Sequence, residues 1–202
     1  MRIKYLSHSG FELRNAKTIL VDPYFTGNRL APAYSGKPDL VLVTHEHYDH
    51  ADLDFLSRLG SPVVCTPASS IKGGQTMRVG EKRSFDGVTV EMFRASHHQS
   101  RYPAGYVVEF DGKRVAHLGD MYLDGVKPLA SIDVLLIPIG GTYTMTIDEA
   151  VKALGIIKPK LAIPMHYGTF PQIEADPDEF KAKAERAGFK VKVLEVGAEL
   201  QL

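Results

Sequence analysis

The apolar run Leu40-Val41-Leu42-Val43 leads through Thr44 into His45-Glu46-His47-Tyr48-Asp49-His50. Three imidazoles and the Asp49 carboxylate in one short window are the donor types that hold zinc and similar divalent ions. Set at the end of an apolar strand, they call for a rigid sheet edge to stand on and for further donors from elsewhere in the chain. His45 and His47 are two residues apart and would share one face of a regular strand. A turn after the strand can aim both at one ion while Asp49 and His50 face a second. Four ligands seldom wrap one ion within so short a window, so the spacing suits a two-metal site better than a one-metal site.

Three more segments place donors after apolar strands. Ala95-Ser96-His97-His98-Gln99 follows a strand expected over 88–93. His117-Leu118-Gly119-Asp120 ends another, and a carboxylate after a glycine can approach a metal closely. Ile163-Pro164-Met165-His166-Tyr167-Gly168 is a third. Each alone is an ordinary loop histidine or turn; together with the first window they make four strand ends with metal-ligand chemistry.

The rest of the chain supplies the scaffold. Further strands are expected over 3–6, 18–22, 40–44, 63–66, 105–110, 114–118, 134–137, 161–165 and 190–195, with Asp111-Gly112 as a hairpin turn. Thr146 with Glu149 reads as a capping box that starts one helix. Asp176-Pro177 starts another, which Gly188 can stop. A third helix is expected over about 51–59 on the spacing of Leu53, Leu56 and Leu59, so that Asp49 and His50 would lie at its N-terminus. Sheets with helices outside them suggest a layered α/β sandwich.

The chain has 202 residues and a hydrophobic fraction of 44%, which suits one domain, 1–202, with a sizeable core. Lys plus Arg and Asp plus Glu number 24 each, so the formal net charge is zero. That balance argues against a protein whose main task is gripping nucleic acid by its phosphates. The single cysteine, Cys65, lies in an apolar run and reads as a small core residue; one thiol cannot form an internal disulfide, which fits a reducing, cytoplasmic setting. The first residues lack the apolar core of a signal peptide, and no run approaches the ~20 apolar residues of a membrane span. A small-molecule substrate is the expected partner, with no membrane and no nucleic acid; a homo-oligomer is left open.

The order His-x-His-x-Asp-His, then His, then Gly-Asp, then His resembles the metallo-β-lactamase superfamily. Asp22 in Ile19-Leu20-Val21-Asp22-Pro23 matches that superfamily's first motif. Within it, the segments Asp22 to Asn28, Pro138 to Gly141 and Pro164 to Phe170 look like the small metal-dependent hydrolases related to L-ascorbate-6-phosphate lactonase. The resemblance implies a four-layer αββα sandwich. It implies one metal held by His45, His47 and His97, a second by Asp49, His50 and His166, and Asp120 bridging the two. A slip between His97 and His98 is the hazard of an adjacent pair. Asp49 would also handle protons, and Asp22 would sit behind the ligands, accepting an imidazole N–H. His8, His98, Tyr143 and Tyr167 are candidates to line the site or touch substrate; His117 is expected to be a buried, hydrogen-bonded neighbour.

A water shared by two divalent ions is acidified toward neutral pH and can attack a carbonyl carbon or phosphorus. The expected activity is hydrolysis of a small substrate such as a lactone or phosphorylated sugar derivative. The alternatives are a phosphodiesterase of ribonuclease type and a non-catalytic metal-binding protein. With no thiolate donor, zinc leads, and manganese, iron and nickel also suit the donors.

Overall fold

A computed structural model describes residues 1–202, which divide into two compact units. The first comprises Met1–Arg78, Gln99–Tyr102 and Leu194–Leu202. Its strands are β1 (Arg2–Tyr5), β2 (Phe11–Arg14), β3 (Thr18–Val21), β4 (Leu40–Val43), β5 (Val63–Cys65), β6 (Gln75–Thr76) and the last strand of the chain, β13 (Glu199–Gln201). They form one sheet in the order β13-β1-β2-β3-β4-β5-β6. β13, β1, β2 and β3 pair antiparallel, and β3 to β6 pair parallel. β4 is buried at every position, as a continuous apolar run in a parallel sheet should be. Because β1 runs parallel to β3 through the intervening β2, the C-terminal ends of β1, β3 and β4 lie on one edge of this sheet. Helix α1 (Leu53–Leu59) follows β4 and buries Leu56 against Leu20, Val41, Val43 and Val63.

The second unit comprises Val79–His98 and Pro103–Val193. Its strands are β7 (Lys82–Phe85), β8 (Val88–Arg94), β9 (Ala104–Phe110), β10 (Lys113–His117), β11 (Val134–Pro138) and β12 (Leu161–Met165), in the order β12-β11-β10-β9-β8-β7. β10, β11 and β12 are parallel, and β7 to β10 form an antiparallel meander. β8 and β10 therefore point the same way, and the C-terminal ends of β8, β10, β11 and β12 share an edge. Asp111 and Gly112, both at positive φ, close the hairpin between β9 and β10. Helices α2 (Ile147–Ile157) and α3 (Pro177–Arg186) pack their Ala150, Ala153, Leu154, Phe180 and Ala184 into one core with Leu135 and Ile137 of β11. The capping box of Thr146 and Glu149 is formed in full, and Asp176 caps α3 ahead of Pro177.

Two expectations need correction. The helix expected from about 51 begins at Leu53, with Asp52 as its N-cap, so Asp49 and His50 precede it in a turn. The strand expected over 190–195 reduces to a single parallel bridge between Val191 and Ala162. Lys190 and Lys192 flank one buried valine, and at Leu194 the chain passes into the first unit, where it ends as β13.

Candidate metal centre

In the first unit the donors stand where β1, β3 and β4 end. β4 delivers Thr44 and His45; the turn through 46–50 delivers His47, Asp49 and His50. His45, His50, His8 and Asp22 are almost fully buried, while His47 and Asp49 are partly exposed. Ligand atoms of His8, Asp49 and His50 lie within 4.8 Å of one another.

The hydrogen bonds fix which nitrogen of each ring carries the proton. Asp22 Oδ2 accepts from His50 Nδ1–H at 2.7 Å and from the Thr44 hydroxyl at 2.6 Å; Asp22 Oδ1 accepts the Thr44 N–H at 2.8 Å. Because Thr44 Oγ1 donates to Asp22, its remaining lone pair accepts from His45 Nδ1–H at 3.1 Å. The Gln99 carbonyl can only accept, so His47 Nε2–H donates to it, at 3.2 Å. His45 Nε2 and His47 Nδ1 are thereby left facing each other through lone pairs across 3.1 Å. A shared cation relieves that repulsion. The separation is close to the ~3.4 Å edge of a tetrahedron with zinc–nitrogen bonds of about 2.1 Å. Metal-binding imidazoles characteristically donate their other N–H to a carboxylate or carbonyl, and the donor set fits a divalent ion.

Asp22 reaches this position at φ 43°, in the left-handed region that Asp tolerates better than most residues. Asp52, three residues past Asp49, holds the chain that leaves Asp22. Its Oδ2 accepts the N–H groups of Phe25 at 2.9 Å and Thr26 at 2.6 Å, and its Oδ1 accepts that of Phe55 at 3.0 Å. Burial opposes ionisation of Asp52, but these backbone donors hold its carboxyl below the usual carboxylate range. His8 Nε2 lies 3.1 Å from Asp49 Oδ2, so the residue that sequence leaves between site and loop is in contact with a candidate ligand.

In the second unit the donors come from β8, β10 and β12. Asp120 is buried and presents each carboxylate oxygen to a different ring: Oδ2 lies 3.6 Å from His97 Nε2, and Oδ1 lies 3.2 Å from His166 Nε2. His97 Nδ1–H donates to the Tyr143 carbonyl at 3.1 Å, which leaves Nε2 as its lone-pair nitrogen. His98 is exposed and stacks on Tyr122 at 5.1 Å instead. His117 is buried, and its Nδ1 accepts the Gly119 N–H at 3.1 Å, bracing the turn that carries Asp120. His166 sits at φ 56°. A Cβ on Gly140 would collide with the His166 carbonyl oxygen and lie 3.2 Å from its Nδ1, so Gly140 gives His166 room. Tyr143 takes part through its backbone carbonyl, and the residue is exposed. Tyr167 is partly buried against the core of α2 and α3.

Thr44, Asp52 and the Gln99 and Tyr143 carbonyls do not stand out in the sequence, and Gly140 does so only as part of the Pro138 to Gly141 segment, without a role. Asp52 had a signal, an Asp three residues before Phe55 at a helix start. The carbonyls had none, since any residue supplies one.

A model of the β-lactamase superfamily domain matches residues 2–166. The chain is 37% identical to a UPF0173 metal-dependent hydrolase of Pelotomaculum thermopropionicum and 39% identical to one of Pyrococcus abyssi, each alignment covering 100% of both chains. The structure of Igni18, a metallo hydrolase from Ignicoccus hospitalis, superposes with a TM-score of 0.87 at 32% identity, covering 100% of this chain and 98% of that one. These relatives have the metallo-β-lactamase-like α/β sandwich expected of the sequence, and no helix here is long and apolar enough to cross a membrane. The chain belongs to the metallo-β-lactamase superfamily and, within it, to the UPF0173 metal-dependent hydrolases.

Proposed function

We propose that the chain works as one domain, 1–202, and as a cytoplasmic dinuclear hydrolase of a small substrate. One metal is held by His45, His47 and His97, a second by Asp49, His50 and His166, with Asp120 bridging. The observation that carries this reading is Asp120, whose two oxygens each face a different imidazole, as suits a carboxylate shared between two ions. Zinc leads among the ions that suit imidazole and carboxylate; manganese, iron and nickel follow.

Ions bound there would acidify a water and polarise a carbonyl or phosphoryl group. The chain's residues do the remaining work. Asp22 keeps the proton of His50 on Nδ1 directly and that of His45 through Thr44, so both rings offer Nε2. Asp49 would accept the proton that the attacking water gives up and return it to the leaving oxygen as the substrate bond breaks, and His8 fixes the orientation of its carboxylate. The resemblance to L-ascorbate-6-phosphate lactonase points to lactones and phosphorylated sugar derivatives as the substrate class.

Protein loaded with saturating zinc or manganese is expected to hold two ions per chain by elemental analysis; at most one tightly bound ion would sink the dinuclear assignment. His97→Ala should lose metal and His98→Ala should keep it, and the reverse would move the register by one. A screen of the loaded protein against lactones, phosphomonoesters and phosphodiesters decides the substrate. Turnover of RNA with tight, salt-sensitive binding would replace this reading with a nuclease.

A further inference from the structure

Glu46, between the two histidines, has no part in the proposed coordination, yet both oxygens of its carboxylate are engaged. Its side chain is only 14% exposed. Oε1 accepts the Arg101 N–H at 2.7 Å, and Oε2 accepts the Ser100 hydroxyl at 2.8 Å. Ser100 Oγ in turn accepts the Tyr102 N–H at 3.2 Å. The Arg101 guanidinium reaches Glu46 Oε1 at 3.5 Å and donates to the Ala68 carbonyl at 3.1 Å. Gln99–Tyr102 accordingly groups with the first unit, although the residues on either side of it belong to the second. Burial works against the charge of Glu46, but the Arg101 N–H, the Ser100 hydroxyl and the nearby His47 keep its carboxyl below the usual range.

The residue next to this clamped pair is Gln99, whose carbonyl receives the Nε2–H of His47. We propose that Glu46 is a positioning residue for His47: by clamping Ser100 and Arg101 it holds the Gln99 carbonyl in place, and that carbonyl keeps the His47 proton on Nε2 and the lone pair on Nδ1. The orienting bond of His47 goes to the Gln99 carbonyl, whereas those of His45 and His50 go to Thr44 and Asp22. His45 and His50 both trace back to Asp22; His47 is partly exposed and bonds to a loop that Glu46 and Arg101 hold. Glu46 extends from the same turn as His47, so the turn secures its own second ligand. The inference rests on the metal site proposed above only in its consequence for affinity; the proton position is a property of the metal-free chain.

The test uses full-length protein labelled with ¹⁵N at histidine. In metal-free wild type, imidazole NMR should show His47 as the Nε2–H tautomer. Glu46→Ala should shift it toward Nδ1–H, and chelator competition with zinc should show binding weakened ~10–100-fold, the usual cost of losing such an outer contact. Glu46→Gln should restore most of both, because its amide oxygen can accept from Arg101 and its NH₂ can donate to Ser100 Oγ. Ser100→Ala, which removes one contact, should move the tautomer the same way by less, and it carries the comparison if Glu46→Ala does not fold. An unchanged His47 tautomer in both Glu46→Ala and Ser100→Ala overturns the proposal, even if affinity falls, because Glu46 would then act through the fold alone. A wild-type protein that binds none of zinc, manganese, iron and nickel would instead refute the metal-site reading and leave the tautomer comparison to judge Glu46.

Discussion

The two units supply donors of the same kind but orient them by different means. In the first, the orienting groups of His45 and His50 are side chains: Asp22 and Thr44 take their protons, and Asp52 steadies the chain beyond Asp22. In the second, the backbone does this work. A carbonyl at Tyr143 fixes His97, a backbone N–H links Gly119 to His117, and the missing side chain of Gly140 admits His166. Side-chain orientation concentrates vulnerability in a few residues, above all Asp22. Backbone orientation spreads it over the fold, where only changes of backbone shape or volume reach the site.

The largest expected effect falls on the first unit. Asp49→Asn keeps an oxygen of similar shape but cannot take up a proton. If Asp49 both holds metal and handles protons, turnover should drop ~10²–10⁴-fold while metal content stays near full. Turnover on the substrate found by screening, with metal assayed before and after, is the measurement. Near-normal turnover at full occupancy removes Asp49 from proton transfer; loss of both leaves it as a ligand only.

The next comparison sets Asp22 against Tyr143. Asp22→Asn tolerates the left-handed backbone, and its amide oxygen can stay on the Thr44 N–H, which places NH₂ where Oδ2 stood. That group cannot accept from His50 Nδ1–H or from the Thr44 hydroxyl, so both rings lose their fixed tautomer. Metal affinity should fall ~10–100-fold in a chelator competition. Tyr143→Ala removes a ring and keeps the carbonyl, so affinity should hold within about twofold. Equal losses in the two variants would erase the distinction between the units.

The same distinction explains what could be read in the sequence. The first unit's donors crowd into 45–50 after an unmistakable buried strand, and Asp22 at the end of another is a side chain with a name. Residues His97, Asp120 and His166 were legible as donors because each follows a strand. Their supports were not: a carbonyl carries no sequence signature, and Gly140 belongs to a segment that carries the family resemblance but does not reveal that its missing side chain makes room for His166. In the fold, strands with continuous apolar runs, such as β4 and β11, were plain. β2, with Glu12 in its middle, the two-residue β6 and the polar edge strand β7 were missed, because short or polar strands owe their pairing to neighbours rather than to their own pattern. The strand expected near the C-terminus failed for the converse reason: Lys190, Val191 and Lys192 alternate suitably but offer only one buried contact.

The smallest effect provides the control for the second unit, a stabilising contact away from the donors. Asp133 begins just before β11. It accepts the Arg114 N–H at 2.8 Å and the Lys160 ammonium at 2.8 Å, joining the starts of β10, β11 and β12. Partial burial raises the cost of its charge, but the Lys160 ammonium and the Arg114 N–H hold its carboxyl below the usual range. Lys160 is 78% exposed, so most of its attraction is screened, and the backbone contact should dominate. Asp133→Ala, which removes both contacts, should therefore cost about 1 kcal/mol in urea unfolding of metal-free protein at pH 7. A carboxylate whose folded pKa is depressed contributes stability that is present above its unfolded value, near 3.9, and is lost as pH falls through the folded one. The gap between wild type and variant should thus narrow below pH ~4, while zinc affinity at pH 7 stays level in both. A gap that persists unchanged at pH ~2.5 would mean the charge of Asp133 contributes nothing. A fall in zinc affinity would show that the start of these strands, and not only their ends, bears on the donors.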